Sequence, residues 1–195
     1  DKKTEDDSVY ERIFADHPLR PGSLLDVGCA WGRLFPLYLE AGLQVAGVDI
    51  SAAMVAEARR CWGDQAAVVA IEEAVAEQLP FADGNFDNVV CIATFDATEQ
   101  HLALAECLRV LKPGGQLLLT GKNNRYSADD RPAFEAECGA RAKGHPNFFT
   151  DTAQLISELQ QRGHTLRQGY YFGRRGDFAD FAYSTALPAE FYEYC

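Results

Sequence analysis

The chain has 195 residues, 47% of them hydrophobic, and this length suits one domain with a sizeable core. Its formal net charge of -11 argues against nucleic-acid binding, because that function needs basic surface to neutralise phosphates. No apolar run reaches the ~20 residues of a membrane span and no signal peptide opens the chain, so we expect a cytoplasmic protein without membrane attachment.

The six cysteines and four histidines do not form a metal-binding pattern. They show no closely spaced pairs of the kind that hold zinc, so no metal site is predicted. Several cysteines lie within predicted strands or helices, where they suit small core residues in a reducing compartment.

The first predicted elements are a short amphipathic helix over residues 9–14 and then a β-α-β unit. Residues 24–27 form an apolar run typical of a buried parallel strand. Gly28, Ala30 and Gly32 then let the backbone turn sharply and approach a ligand closely. Residues 34–42 indicate a helix with a glycine stop, and residues 44–48 are again strand-like.

Asp49 ends the second strand of this unit about 20 residues beyond the glycine turn. A carboxylate at that point can accept both hydroxyl hydrogens of a cofactor ribose, which predicts an adenosine-containing ligand. Dinucleotide binders use G-x-G-x-x-G, but Arg33 stands where the third glycine would be. The spacing therefore disfavours a nicotinamide dinucleotide.

The later elements alternate in the same way. Turn residues over 79–84 precede a strand at 88–93, and a helix at 98–110 ends at the proline and glycines of residues 113–115. A linker over 125–146 holds a short helix at 132–142, and Thr150 or Asp151 can cap the helix after it. Residues 174–177 indicate a turn between two antiparallel strands.

Four segments, in order, resemble class I S-adenosylmethionine-dependent methyltransferases. Residues 26–32 are similar to the family's acid and G-x-G-x-G of motif I, and residues 77–91 to its acid-x-L-P-F-x-D-x-x-F-D block. Residues 108–119 are similar to its R-V-L-K-P-G-G turn and fifth strand, and residues 147–163 to its late helix. The resemblance covers roughly residues 23–183.

This resemblance implies a Rossmann-like, doubly wound α/β/α fold with a seven-stranded, mostly parallel sheet and an antiparallel last strand. It implies one methyltransferase domain over residues 1–195. Its parts are an N-terminal helical segment at 1–22, a cofactor-binding core at 23–122, a loop or cap at 123–149, and a C-terminal helix and strand pair at 150–195.

The resemblance also implies that the cofactor is S-adenosyl-L-methionine, with S-adenosyl-L-homocysteine as the product. Asp26 is expected near the cofactor's amino group, and Asp49 on the ribose. The remaining expected cofactor contacts are the turn residues Gly28, Cys29 and Gly32, the adenine-side residues Ile50, Ala76 and Glu77, and Tyr10, which packing explains equally well.

Asp96 is the candidate catalytic residue, because it follows the fourth strand where family members place a histidine. It can orient or deprotonate an acceptor, and the alternative is that it caps the helix at 98–110. Residues 123–126 and His145 are candidate substrate contacts, since loops beyond strand carboxyl ends form the crevice of such folds.

The leading functional interpretation is transfer of a methyl group to a small-molecule acceptor by in-line displacement. The first alternative is a non-catalytic methyltransferase-like binding or scaffold protein, and the second is an NAD-dependent oxidoreductase on the same β-α-β unit. The short cap is also compatible with an oligomer in which a partner chain completes the site.

Overall fold

The computed structural model describes residues 7–144 and 146–195, so the candidate His145 lies outside it. The chain forms two compact units, described separately below. One comprises Tyr10–Leu119, and the other comprises Thr120–Cys195 with the described residues before Tyr10. The assignment of residues 1–195 to a single domain stays a prediction.

The first unit is an alternating α/β unit built on a parallel sheet. After α1 (Asp7–Asp16), its elements are β1 (Ser23–Val27), α2 (Phe35–Glu40), β2 (Gln44–Asp49), α3 (Ala52–Trp62), β3 (Val68–Glu73), β4 (Phe86–Cys91), a 3-10 turn (Phe95–Ala97), α4 (Gln100–Val110) and β5 (Leu111–Leu119). The strand order is β3-β2-β1-β4-β5, with every pairing parallel. The order reverses beside β1, and a ligand crevice is expected at the carboxyl ends of β1 and β4.

The central strands are apolar because both faces of the sheet are covered. Leu24, Leu25, Val45, Val89 and Val90 are fully buried, as strands in such sheets require. The helices start and stop at identifiable residues: Ser51 accepts a hydrogen bond from Met54 N at 3.4 Å to cap α3, and Gly42 adopts a left-handed φ of 75° after α2.

Asp87 joins the amino-terminal ends of β1 and β4. Its Oδ2 accepts hydrogen bonds from Ser23 N and Ser23 Oγ, each at 2.9 Å, and from Lys112 Nζ at 2.8 Å. The Lys112 hydrogen bond, followed by the Ser23 amide, lowers the pKa of Asp87 to about 2. Asp87 therefore links β1 and β4 at the end of the sheet opposite the expected crevice.

The second unit is a small antiparallel sheet with two helices. Its elements are β6 (Gly121–Lys122), a 3-10 turn (Ala128–Asp130), α5 (Arg131–Ala142), α6 (Thr152–Gln161), β7 (Tyr171–Phe172), β8 (Tyr183–Ser184) and β9 (Glu193–Tyr194). The strand order is β6-β9-β7-β8. Asp151 accepts a hydrogen bond from Gln154 N at 3.0 Å, so of the two predicted caps Asp151 is the one that forms.

The doubly wound parallel fold is confirmed, but the strands are distributed differently from the expected seven-stranded sheet. Within the described ranges they form a five-stranded parallel sheet and a separate four-stranded antiparallel one. The second sheet consists of two-residue strands, and Thr120, which belongs to neither sheet, separates β5 from β6. Such short ladders do not extend the parallel sheet.

None of the helices within residues 7–144 and 146–195 is long and apolar enough to cross a membrane.

Candidate cofactor-binding site

The turn after β1 is bound tightly to the end of β2. The N–H groups of Gly28 and Cys29 both donate to the carbonyl oxygen of Val48, at 2.8 and 2.9 Å, and Gly32 N donates to Cys29 O at 2.8 Å. Gly28, Ala30 and Gly32 have φ values of 79°, 49° and 79°. Since a Cβ disfavours this left-handed region, glycine suits positions 28 and 32, whereas Ala30 adopts it although it carries a Cβ.

Gly28 also lies against the segment that follows β4. A Cβ on Gly28 would be 2.1 Å from Thr94 Oγ1 and 2.5 Å from Thr94 Cγ2, closer than any real contact. The turns after β1 and β4 therefore meet at the point where the strand order reverses. Thr94 was not a sequence candidate, because a threonine just after a strand carries no signal of its own.

Replacing Gly28 with alanine should destabilise the protein by about 2 kcal/mol, because it combines a positive φ with a clash against Thr94. Urea unfolding of the purified variant measures this loss. The double variant Gly28→Ala/Thr94→Ala should recover part of it, since it removes the clash and keeps the backbone strain. If stability does not recover, the contact between residue 28 and Thr94 is contradicted. Gly84→Ala is the control for the cost of a positive φ alone, because a Cβ there meets no atom within 4 Å.

Asp49 holds this turn through both oxygens of its carboxylate. Oδ2 accepts a hydrogen bond from Ala30 N at 2.8 Å, and Oδ1 accepts one from Ser51 N at 2.9 Å. Each carboxylate oxygen has a second lone pair, so each can accept a further hydrogen bond from a ligand hydroxyl. The half-buried Asp49 is thus organised to receive two neighbouring hydroxyl groups.

Apolar side chains are exposed beside this carboxylate. Ala74 N donates to Asp49 O at 3.1 Å, which brings the end of β3 next to the end of β2. Ile50 and Val75, which follow these positions, are 73% and 38% exposed. Large exposed apolar groups next to a carboxylate that has acceptor capacity left suit a planar heterocycle attached to a sugar.

Asp26 lies inside β1, paired with Gly47 of β2, and is 3% exposed. Burial raises the pKa of its carboxyl to about 7, and the charge of Asp49 adds to that rise. Arg33 and the nearby Tyr38 hydroxyl favour the ionised form, so they partly oppose this rise in pKa. Asp26 is therefore poised to change its ionisation when a charge arrives nearby, and neither Arg33 nor Tyr38 was a sequence candidate.

The Tyr38 hydroxyl is itself fully buried beside Asp26. It makes no hydrogen bond of standard geometry, although it is close enough to influence the carboxyl. Burial and the neighbouring Asp26 raise the pKa of Tyr38 well above its usual value. The hydroxyl thus remains protonated, as a neutral donor facing an acid.

Glu77 forms part of the framework that follows β3. Its Oε1 accepts a hydrogen bond from the backbone N–H of Glu99, the residue that precedes α4, at 2.7 Å. One oxygen of Glu77 is therefore engaged with the protein itself. Ala76, a further adenine-side candidate, is 8% exposed and offers its backbone rather than a side chain.

Arg109 fixes the loop that continues from this point. Its guanidinium donates to the carbonyl oxygens of Leu79 and Phe81, at 3.0 and 2.8 Å, and to Asp83 Oδ1 at 2.8 Å. It also forms a two-point ion pair with Glu106, whose Oε2 accepts a hydrogen bond from Leu79 N at 2.7 Å. The arginine of R-V-L-K-P-G-G, Arg109, therefore binds the L-P-F-x-D loop.

Asp96 follows β4 in the 3-10 turn and is 8% exposed. Its alternative role as the cap of a helix at 98–110 is wrong, because α4 begins at Gln100 and its N-cap residue is Glu99. Thr98 follows the 3-10 turn as its C-cap residue, and its Oγ1 donates to Phe95 O at 2.7 Å. The catalytic role of Asp96 stays a prediction.

Two further cofactor candidates are buried. Tyr10 is 3% exposed and lies near Tyr38, which agrees with a packing role. Cys29 is 4% exposed, its Sγ lies against Gly47, and burial raises the pKa of its thiol. Across residues 7–144 and 146–195, no group of three histidine, cysteine or acidic side chains is arranged to hold a metal ion.

Residues 25–119, from β1 to the end of β5, match the model of the methyltransferase domain. The chain belongs to the S-adenosylmethionine-dependent methyltransferase family.

Two curated relatives illustrate the similarity. A malonyl-[acyl-carrier protein] O-methyltransferase of Enterobacter lignolyticus is 32% identical over 160 residues, covering 80% of this chain and 55% of that protein. A demethylmenaquinone methyltransferase of Beutenbergia cavernae is 33% identical over 154 residues, covering 77% and 60%. The chain thus spans just over half the length of these relatives.

Among solved structures, a Thermotoga maritima S-adenosylmethionine-dependent methyltransferase, described as a possible histamine N-methyltransferase, has a TM-score of 0.66 at 19% identity. The match covers 94% of this chain and 85% of that one. At this identity the likeness supports the fold of the chain and not a shared substrate.

Proposed function

We propose that this protein is an enzyme that transfers a methyl group from S-adenosyl-L-methionine to a small-molecule acceptor. The observation that carries the proposal is Asp49, whose two oxygens are each held by one backbone N–H and each retain a lone pair for a ribose hydroxyl. Family membership and the acceptors named for both curated relatives support the reaction class.

The residues at the strand ends fit the parts of this cofactor. The close approach of Gly28 to Thr94 leaves no room for a side chain on the turn that would face the methionine half. Asp26 would lie near the ammonium group, Asp49 would bind the ribose, and Ile50 and the backbone of Ala76 would contact adenine. The same residues lack the third glycine that a dinucleotide's pyrophosphate needs, since Arg33 occupies that position.

The bound cofactor supplies a methyl group on a sulfonium, which reacts by in-line displacement. The protein contributes chiefly by orienting the reactants, because fixed geometry alone removes much of the barrier. The turn over residues 28–32 is rigid through its hydrogen bonds to Val48 and Asp49, which suits this positioning role. Asp96 is the proposed group that orients the acceptor or takes its proton.

Calorimetric titration of the purified protein with S-adenosylmethionine and S-adenosylhomocysteine tests this proposal. We expect both to bind with dissociation constants of about 1–100 μM, and NADH to bind at least about 100-fold more weakly. The ribose is common to all three, so the comparison isolates the sulfur-containing half. Tighter binding of NADH would favour the oxidoreductase alternative, and no binding of any of them would favour a scaffold.

A further inference from the structure

The second unit contains a cavity of about 500 Å³, formed where the chain leaves β6 and enters α5. This volume is within the usual range for small-molecule sites. Polar and charged groups contribute to its lining: Arg125, Arg131, Ser127 and Glu190. The cavity is therefore unlike a gap in an apolar core.

One wall of the cavity is aromatic, and further aromatic side chains pack against it. Tyr126 and Phe134 line it, with ring centroids 5.1 Å apart in an edge-to-face arrangement. Phe149 packs against both rings, at 5.5 and 4.9 Å, and Tyr192 packs against Tyr126 at 5.2 Å. Tyr192 in turn donates a hydrogen bond to Glu137 Oε1 at 3.0 Å. This support orders the wall before any ligand arrives.

The cationic side of the cavity keeps most of its hydrogen-bonding capacity. Arg125 Nη2 lies 3.4 Å from Asp151 Oδ2, and Arg131 Nε lies 3.2 Å from Glu135 Oε1. A guanidinium carries five N–H donors, so each such contact leaves donors for a planar anion. Both arginine side chains are also well exposed, at 59% and 73%, so they can reorient toward a ligand.

The acidic group in the lining imposes a further requirement. Glu190 is the acidic residue among those that line the cavity. A ligand that is anionic throughout would be repelled by it, whereas a ligand hydroxyl would donate a hydrogen bond to it. The lining thus combines donors for a carboxylate, a flat wall for a ring and an acceptor for a hydroxyl.

We propose that this cavity binds a small aromatic acid that also carries a ring hydroxyl group. The carboxylate is held by Arg125 and Arg131, the ring packs on Tyr126 and Phe134, and the hydroxyl donates to Glu190. Three of the candidate substrate contacts, residues 124–126, line this cavity. The inference goes beyond the proposed function by naming the chemical class of the ligand, and its test does not depend on methyl transfer.

The test is calorimetric titration of the whole protein, without cofactor, with 3,4-dihydroxybenzoate and with 3,4-dihydroxybenzyl alcohol. The two probes share the ring and both hydroxyls and differ in the carboxylate. We expect the acid to bind about tenfold or more tightly than the alcohol. Equal affinities would overturn the proposal, and so would no detectable binding of the acid up to about 10 mM.

Two sets of variants locate the site. Arg125→Gln/Arg131→Gln should weaken binding of the acid about tenfold or more and leave the alcohol unaffected. Arg167→Gln, an exposed arginine of the same unit outside the lining, is the matched control and should bind the acid normally. Because all three positions are on the surface, folding should be retained, and circular dichroism verifies it. If the double variant binds the acid as tightly as the parent protein, the cavity is not the site.

Discussion

Replacing Asp49 with alanine should weaken the binding of S-adenosylmethionine about 100-fold or more. The wild-type carboxylate can accept two hydroxyl hydrogens, and each hydrogen bond to a charged group contributes about 1.5–3 kcal/mol. The variant also loses the acceptors for Ala30 N and Ser51 N, so the turn after β1 keeps only its hydrogen bonds to Val48 of β2. Calorimetry with the cofactor and with S-adenosylhomocysteine measures the loss.

Two further variants separate the ribose contact from general effects. Asp49→Asn keeps one acceptor oxygen at the site and should bind the cofactor with intermediate affinity. Glu73→Ala removes an exposed carboxylate from the end of the neighbouring strand, β3, and should bind like the parent protein. If Asp49→Ala is folded and still binds the cofactor normally, the proposed ribose contact is wrong.

The stability of the protein should decrease as the pH rises from about 4 to about 7, owing to Asp26. Its pKa is about 7 in the folded protein, against 3.8 for an ordinary aspartate, and burial is the main cause. Between these values the folded protein keeps a proton that the unfolded chain has released. The free energy of unfolding therefore falls with rising pH, by roughly 4 kcal/mol over the whole window, and stays lowered above it.

Urea unfolding at pH 5 and pH 8 measures this effect, with Asp26→Asn as the comparison. The variant stays neutral throughout, so its stability relative to the parent protein should increase between these pH values. Asp87 does not interfere, because its lowered pKa of about 2 makes its own contribution disappear only as the pH falls below about 4. A pH-independent difference between the two proteins would contradict the raised pKa of Asp26.

The pH dependence of ligand binding gives a second measure of the pKa of Asp26. An ammonium group beside Asp26 favours the ionised carboxylate, so binding should release a proton near pH 6–7. The affinity of the parent protein for S-adenosylmethionine should then rise with pH across this range, and that of Asp26→Asn should change less.

The elements of the parallel unit could be predicted from the sequence because their signals are local. Apolar runs such as residues 24–27 and a glycine stop such as Gly42 act within a few residues, and the helix and strand limits agree closely with them. The start of α4 was predicted two residues early, because Thr98 instead closes a 3-10 turn on Phe95. The local sequence favours either arrangement.

The surroundings of the site depended on contacts that sequence spacing does not reveal. Thr94 approaches Gly28 from the segment after β4, 66 positions along the chain, and no residue near either position indicates this contact. Arg33, which lies between β1 and α2, and Tyr38, which lies in α2, both influence the pKa of Asp26. The sequence showed the first only as a replaced glycine and the second only as a residue of an apolar face. Asp26 and Asp49 could be identified from the sequence, whereas these two neighbours that shift the pKa of Asp26 could not.

The position of Arg109 changes how its motif should be interpreted in other sequences. The side chain serves the loop over residues 79–83 and the helix that carries it, and this bonding requires neither cofactor nor acceptor. A related protein without catalytic activity would still need this arginine to hold the loop over residues 79–83 in place. R-V-L-K-P-G-G is thus a marker of architecture, and a search for active enzymes among proteins of this shape should select on the acids that end β2 and lie within β1.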